Sequence, residues 1–460
     1  MINLFMKLCK FNFGNFEEPE FRKFLRMGLV FMIIVGCYWT LRPLKDAIFI
    51  HFVGKLYLPY AKTVSVLLLL PLVAFYTKLV GLYSKEKMLM MLPVFYGISI
   101  LVFSVVVFLF QAQIFTNDMI SCAVGYIWYF FVESFGSVVI ALFWAFAADV
   151  TDPKTAKRGF PLIYALGQLG GVILPYSVGS LPQRLGLTTD FVSLLILGFL
   201  VVLVVPLVKR FLRVTPKELL ISFAHAEDES KKKKEEKKGK KPGFTEGLKL
   251  LFSHKYLIGI FAANFIFEFI VTIFDFSFKL AASDMYQGVA LSSYLSLYGS
   301  SVNTVALLCL LLGVSNVTKL LGVGAALATM PIILGAALLG FLAMDSLNFL
   351  FVLMVGSKAI NYALNGPSLK QLYIPTTKDV HFKAQAWIET FGSRASKEAG
   401  SLVNMLMKPL QTAFGEVAGK AHFLTLGGAI GFPLVVLWFV VAIYLGKTFK
   451  KAVDENKVVC

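Results

Sequence analysis

Arg42, Lys45 and Asp46 lie within one turn of each other in the stretch YWTLRPLKDAIF, and 15 residues without a charge separate Arg42 from Arg26. In a helix, the three- and four-residue spacings put all three on one face. A charge at bilayer depth costs about 2.5–3.5 kcal/mol even on the mildest scale, so such groups face a polar cavity, a partner charge or an ion path. The bland alternative is a cluster of side chains snorkelling to the interface. Pro43 lacks an N–H and disturbs the helix here, which would also turn backbone groups toward a cavity.

The same pattern recurs along the chain. Glu133 stands near the centre of FVESFGSVVIALFWAF with no charge within ten residues on either side. It needs a cation from another helix, or it is a protonatable or neutral hydrogen-bonded carboxylate. Glu268, Asp275 and Lys279 form one helical stripe, and Asp275 and Lys279 have the favourable i,i+4 order for an ion pair. Lys358, Asn361 and Asn365 make a second stripe. Glu389, Arg394, Lys397 and Glu398 make a third charged segment. Cations outnumber anions in these groups, which suits an anionic solute. Phosphate matches best, because Arg binds it bidentately and Lys as a point charge. Tyr38, Trp39, Trp144, Tyr362 and Tyr373 stand at similar depth and could stack on a base. The chain is 14% aromatic, so chance also places rings there.

These residues must be carried by membrane helices. The 460 residues are 57% hydrophobic, with a mean hydropathy of +0.75, against about 45–50% apolar for a soluble chain. Long apolar stretches predict an all-α integral membrane protein, not a barrel of short alternating strands. We expect twelve spans, at 24–50, 57–82, 88–112, 119–148, 160–182 and 189–212, then 254–282, 289–313, 316–342, 346–374, 382–413 and 422–447. This divides the chain into an N-terminal half (1–212), a basic linker (213–253) and a C-terminal half (254–460). YALGQLGG in span 5 and ETFGSRASKEAG in span 11 hint at internal repetition.

The net charge is +17, and Lys231–Lys241 alone holds eight Lys and two Glu. Between two hydrophobic halves this run reads as a cytoplasmic loop and not as a nucleic-acid-binding patch. Lys7, Lys10, Arg22, Lys23, Arg26, Lys85, Lys87, Lys154, Lys157, Arg158, Lys378, Lys383, Lys447, Lys450 and Lys451 fall on the same side, with only Lys55, Arg184 and Lys420 opposite. The bias predicts both termini in the cytoplasm. The five cysteines (Cys9, Cys37, Cys122, Cys309 and Cys460) show neither disulfide nor metal spacing. No Walker A, HExxH or Cys/His set is present, so we expect no metal, no cofactor and no enzyme activity. Glu17, Glu18 and Glu20 precede the first span, and neither a cleavable signal nor a transit peptide fits there, which favours a bacterial inner membrane.

Several segments together resemble the ATP/ADP translocase family, the TLC nucleotide transporters of plastids and obligate intracellular bacteria. LRPLKD (41–46) is similar to its first-helix signature, ESFGSVVIALFWAFA (133–147) to its fourth-helix pattern, and FDFSFKL (274–280) to its seventh. NYALNGPSLKQLYIP (361–375) resembles the tenth and FGSRASKEAG (391–400) the eleventh. The resemblance implies a major-facilitator-like fold whose two six-helix halves flank a mid-membrane site, with nucleotides, commonly ATP and ADP, as the exchanged substrates. It further implies that Lys45 is the essential first-helix Lys, Glu133 the fourth-helix Glu, Asp275 the seventh-helix acid followed by Lys279, and Lys397 the eleventh-helix Lys.

The chain departs from the family at Asp275, Ser277 and Phe278, at Asn361, Gly366, Leu369 and Lys370 on the tenth helix, and at FKAQ (382–385) beyond it. On this reading Lys45, Lys279 and Lys397, with Arg42 and Arg394, hold phosphates. Glu133, Asp275 and Asp46 are the gating or coupling carboxylates, and Glu268, Lys358, Asn361, Asn365 and Tyr362 line the cavity. The expected partners are a nucleotide and the lipid bilayer, with no nucleic acid, and a monomeric chain. Three alternatives remain open at this point: proton-coupled import of other nucleotides or a phosphorylated solute, a non-transporting membrane scaffold, and a transferase acting on phosphorylated lipid.

Overall fold

A computed structural model describes residues 16–220, 244–312, 317–343, 346–377, 380, 384–455 and 457–460. Cys9, Lys7, Lys10, Lys378, Lys383, the first half of FKAQ and the Lys231–Lys241 run lie outside these residues. Among the described residues the chain is helical, with no strand. Eleven helices among the described residues are long and apolar enough to cross a membrane, where the sequence predicts twelve. The difference lies at 382–413. This stretch forms short helices at Gln385–Trp387, Ser393–Asn404 and Met407–Phe414, with a π turn at Ile388–Gly392. Glu389, Arg394, Lys397 and Glu398 crowd it with charge, so it lacks the apolar length of the others.

We label the helices α1 (Glu18–Phe52), α2 (Leu58–Leu82), α3 (Lys85–Gln111), α4 (Asp118–Asp149), α5 (Pro153–Leu174), α6 (Phe191–Val214), α7 (Lys255–Met285), α8 (Gly288–Leu311), α9 (Val317–Ala343), α10 (Leu347–Ile360), α11 (Ser393–Asn404) and α12 (Glu416–Asp454). π turns follow α5 at Pro175–Gly179 and α10 at Asn361–Asn365. Two compact units emerge: Met1–Lys55, Leu67–Lys238 and Met285–Leu307 form one, and Leu56–Val66, Gly239–Asp284 and Leu308–Cys460 the other.

In the first unit, α1 is the central post. Pro19 in its first turn cannot donate and need not, and Glu18 and Glu20 complement the helix dipole there. α1 packs on α4, α5 and α6, and α3 packs on α6. A run of buried Phe and Leu fills the seams, including Phe21, Phe24, Phe135, Phe143 and Leu194. Gly170 of α5 lets the backbones touch: a Cβ there would stand 2.0 Å from the Met32 carbonyl oxygen. α8 joins this unit through small and polar residues. The Ser300 hydroxyl donates to the Val172 carbonyl at 2.7 Å, and Asn303 packs over Gly171. In the second unit α9 lies along α12, and α11 is tied to α7 by Asn404 Nδ2 donating to the Thr272 carbonyl at 3.2 Å.

Close approach of α1 and α5 leaves no room for a side chain at 170. Gly170→Val is expected to destabilise the protein by about 1–3 kcal/mol, read as a lower thermal midpoint and less monodisperse protein in detergent. A wild-type melting curve for this variant would show that α1 and α5 do not pack as described.

Candidate functional site

The charged residues gather into a separate cluster in each unit. In the first unit Lys45 of α1 is 2% exposed. Its Nζ lies 2.5 Å from Glu133 Oε1 and 3.4 Å from Asp46 Oδ1. It also stands 3.8 Å from the centre of the Tyr129 ring, a cation–π contact. Tyr129 and Glu133 are one turn apart on α4, so the aromatic face and the carboxylate point the same way. Next along α4, Gly136 receives the Tyr38 ring, which would be 2.2 Å from a Cβ there. This close fit brings the polar faces of α1 and α4 together. Arg42 is half-buried on the same face of α1, with its guanidinium 5.5 Å from the Trp39 ring centre.

In the second unit Asp275 of α7 is the hub. Lys279 pairs with its Oδ2 at 2.5 Å in the i,i+4 geometry, and Lys358 of α10 donates to its Oδ1. Lys358 is buried, in the last turn before the π segment. Within that segment Asn365 Nδ2 donates to Asn361 Oδ1 at 2.7 Å, while Tyr362 is exposed. Two turns toward the start of α7, Glu268 lies 3.5 Å from Lys397 Nζ and accepts from the Ser393 hydroxyl at 3.4 Å. Glu398 accepts from the Thr63 hydroxyl at 2.5 Å. Arg394 is half-buried on α11 and is not drawn into an ion pair with any described residue.

The sequence marked Lys358 only as a cavity residue, and the structure makes it a second partner of Asp275. Tyr129 and Ser393 were missed, and only their helical spacing from Glu133 and Lys397 could have flagged them. A further buried cluster also went unread: Asp190 Oδ2 accepts from Gln111 Nε2 at 2.9 Å and from the Ser292 hydroxyl at 3.0 Å. It ties the ends of α3, α6 and α8 together. Among the described residues no group of three or more His, Cys, Asp and Glu could hold a metal ion. Both clusters set lysines against carboxylates, and an ammonium held in this way makes the same charge-assisted hydrogen bonds that phosphate oxygens accept.

The TLC ATP/ADP transporter family matches residues 3–349. The chain belongs to this family. Its relatives include ADP,ATP carrier protein 1 of Rickettsia prowazekii (strain Madrid E), 24% identical over 490 residues and covering 96% of each chain. The plastidic ATP/ADP-transporter of Solanum tuberosum is 26% identical, covering 98% of this chain and 77% of its own. Two solved structures share the fold. A bacterial homologue of the lysosomal transporter Spinster, inward-facing, has a TM-score of 0.59 at 14% identity, covering 95% of this chain and 99% of its own. A bacterial homologue of the iron transporter ferroportin, also inward-facing, has a TM-score of 0.60 at 11% identity, covering 92% and 98%. The fold of this TLC transporter is thus major-facilitator-like.

Breaking the Lys45–Glu133 pair leaves a buried ammonium with less compensation. Glu133→Gln is expected to lower stability toward the small end of the about 3–5 kcal/mol typical of a broken buried pair, since 32% of the Glu133 side chain is exposed. The double variant Lys45→Met/Glu133→Leu should recover much of that loss. Thermal unfolding of both variants decides, and equal losses in single and double variants would mean the pair is not coupled.

Proposed function

We propose that this TLC transporter exchanges ATP for ADP across a membrane by alternating access, with its buried lysines as the phosphate sites. The observation that carries this reading is Lys45: an ammonium 2% exposed, with Glu133 at 2.5 Å. A buried cation is tolerable only while an anion accompanies it. In the empty protein the carboxylate is that anion, and in the loaded protein a phosphate oxygen takes over. Asp275 does the same for Lys279, and Glu268 for Lys397, with Arg42 and Arg394 as auxiliary cations. Glu133, Asp275 and Asp46 thereby gate the cycle, because the unloaded lysines return to them. Asn361, Asn365 and Tyr362 contribute polar and aromatic surface to the path of the nucleotide.

We take the chain as two six-helix halves, 1–212 and 254–460, joined by the linker 213–253. Both termini are on the cytoplasmic side of a bacterial inner membrane, as the Lys and Arg bias supports. The protein acts as a monomer, is not an enzyme and binds no nucleic acid.

Uptake of labelled ATP into proteoliposomes tests the proposal. Flux should require ADP inside and should be insensitive to a proton gradient. Lys45→Gln removes a charge-assisted contact worth about 1.5–3 kcal/mol. It should therefore lower kcat/KM for exchange by about 10- to 150-fold while the protein still folds. Uptake that proceeds without internal ADP and follows the proton gradient would overturn exchange in favour of proton-coupled import.

A further inference from the structure

A cavity of about 640 Å3 opens between α9 and α12, and none of its lining residues belongs to the charged clusters described above. Its existence follows from glycine. α9 leaves helical geometry at Gly322, with φ 82° and ψ 160°, a conformation that side chains with a Cβ resist. Just beyond, Gly324 and Gly446 meet backbone to backbone: a Cβ on Gly446 would lie 2.4 Å from the Gly324 Cα. The helices touch at this point, and both glycines border the cavity. Ala328, Ile443, Phe449 and Val453 line the space with apolar surface, and Lys447, Lys450 and Asp454 also border it.

Along α12 the polar groups of the lining follow the order of a lipid, with Phe449 and Val453 as apolar surface interleaved among them. Ile443 belongs to the apolar run of the span. Lys447 and Lys450 follow where that run ends, one turn apart and both exposed. Asp454 comes one turn further out. An acyl chain needs an apolar slot inside the bilayer, a phosphate needs cations at the interface, and a hydroxylated headgroup needs an acceptor beyond the phosphate. The cavity is within the size range, about 300–1,000 Å3, of small-molecule sites.

We propose that this groove holds one anionic phospholipid of the phosphatidylglycerol type. Lys447 and Lys450 bind its phosphate, Asp454 accepts from the glycerol hydroxyls, and the start of an acyl chain lies along Ala328 and Ile443. Asp454 provides the discrimination: its carboxylate accepts from a hydroxylated headgroup and repels a bare phosphate. The proposal rests on the membrane location of the protein and is independent of its nucleotide substrate.

Native mass spectrometry of the full chain, released from detergent with added phosphatidylglycerol, phosphatidic acid or phosphatidylethanolamine and no nucleotide, tests it. One phosphatidylglycerol should be retained in preference to both others. Lys447→Gln/Lys450→Gln should weaken that retention about tenfold or more, and Asp454→Asn should erase the preference over phosphatidic acid. Ala328→Phe, which fills the slot without changing charge, should lower occupancy while the protein stays monodisperse. Equal retention of the three lipids by the wild type, or wild-type retention by both the double-Lys and the Ala328→Phe variants, would overturn the proposal.

Discussion

The cost of an uncompensated charge away from water organises this protein. Lys45, Lys279 and Lys358 are each buried or nearly so, and each has a carboxylate within ion-pair distance. Removing water from an ammonium costs several kcal/mol, so a lysine at this depth cannot wait alone for its substrate. In the proposed exchange the carboxylates are part of the binding chemistry: they would keep the site charged while it is empty and set the strength of anion needed to displace them. A site with too good an internal partner would never release its lysines, and a site with none would not fold.

The helices are arranged so that these pairs form across packed seams. α1 carries Arg42, Lys45 and Asp46 on one side and a row of aromatic and aliphatic packing residues on others. Glycines, not polar contacts, let α4 and α5 approach it. Gly136 admits Tyr38 and Gly170 admits the α1 backbone, both on the N-terminal side of Lys45 along α1, so tight apolar packing backs the Lys45–Glu133 contact there. In the second unit the order is different. Asp275 stands between Lys279 on its own helix and Lys358 on α10, so one carboxylate restrains both. A ligand that took Lys279 would leave the Lys358–Asp275 link between α7 and α10 in place.

Much of this was legible in the chain. Charges in apolar stretches marked Lys45, Glu133 and Asp275 before any contact was known, because burying charge without purpose is too costly to be common. The i,i+4 order of Asp275 and Lys279 gave their pairing directly. The motifs on the first, fourth, seventh, tenth and eleventh segments pointed to the family that the comparisons found. Partners from other helices were not legible, since periodicity within one segment says nothing about which neighbour faces it. Lys358 was therefore placed on a stripe without its Asp275, and Tyr129 over Lys45 was missed. The expected span at 382–413 holds six charges, and its described residues form short helices instead of one long apolar helix. Asp190 stands just before α6, where an acidic residue is ordinary, so nothing in the sequence set it apart.

The π turns have a consequence of their own. A π turn carries one residue more than the α-helical ladder needs, and each α-helical residue turns the chain by about 100°. At Asn361–Asn365 the helix thus holds a spare residue just past Lys358, and at Ile388–Gly392 another just before Arg394 and Lys397. Among relatives, a one-residue deletion at either place can be absorbed by an ordinary α turn, leaving the ion-pair register on the far side intact. Gaps in alignments of this lineage should then collect at these two points, and a helical wheel drawn straight through them assigns the wrong faces to everything that follows.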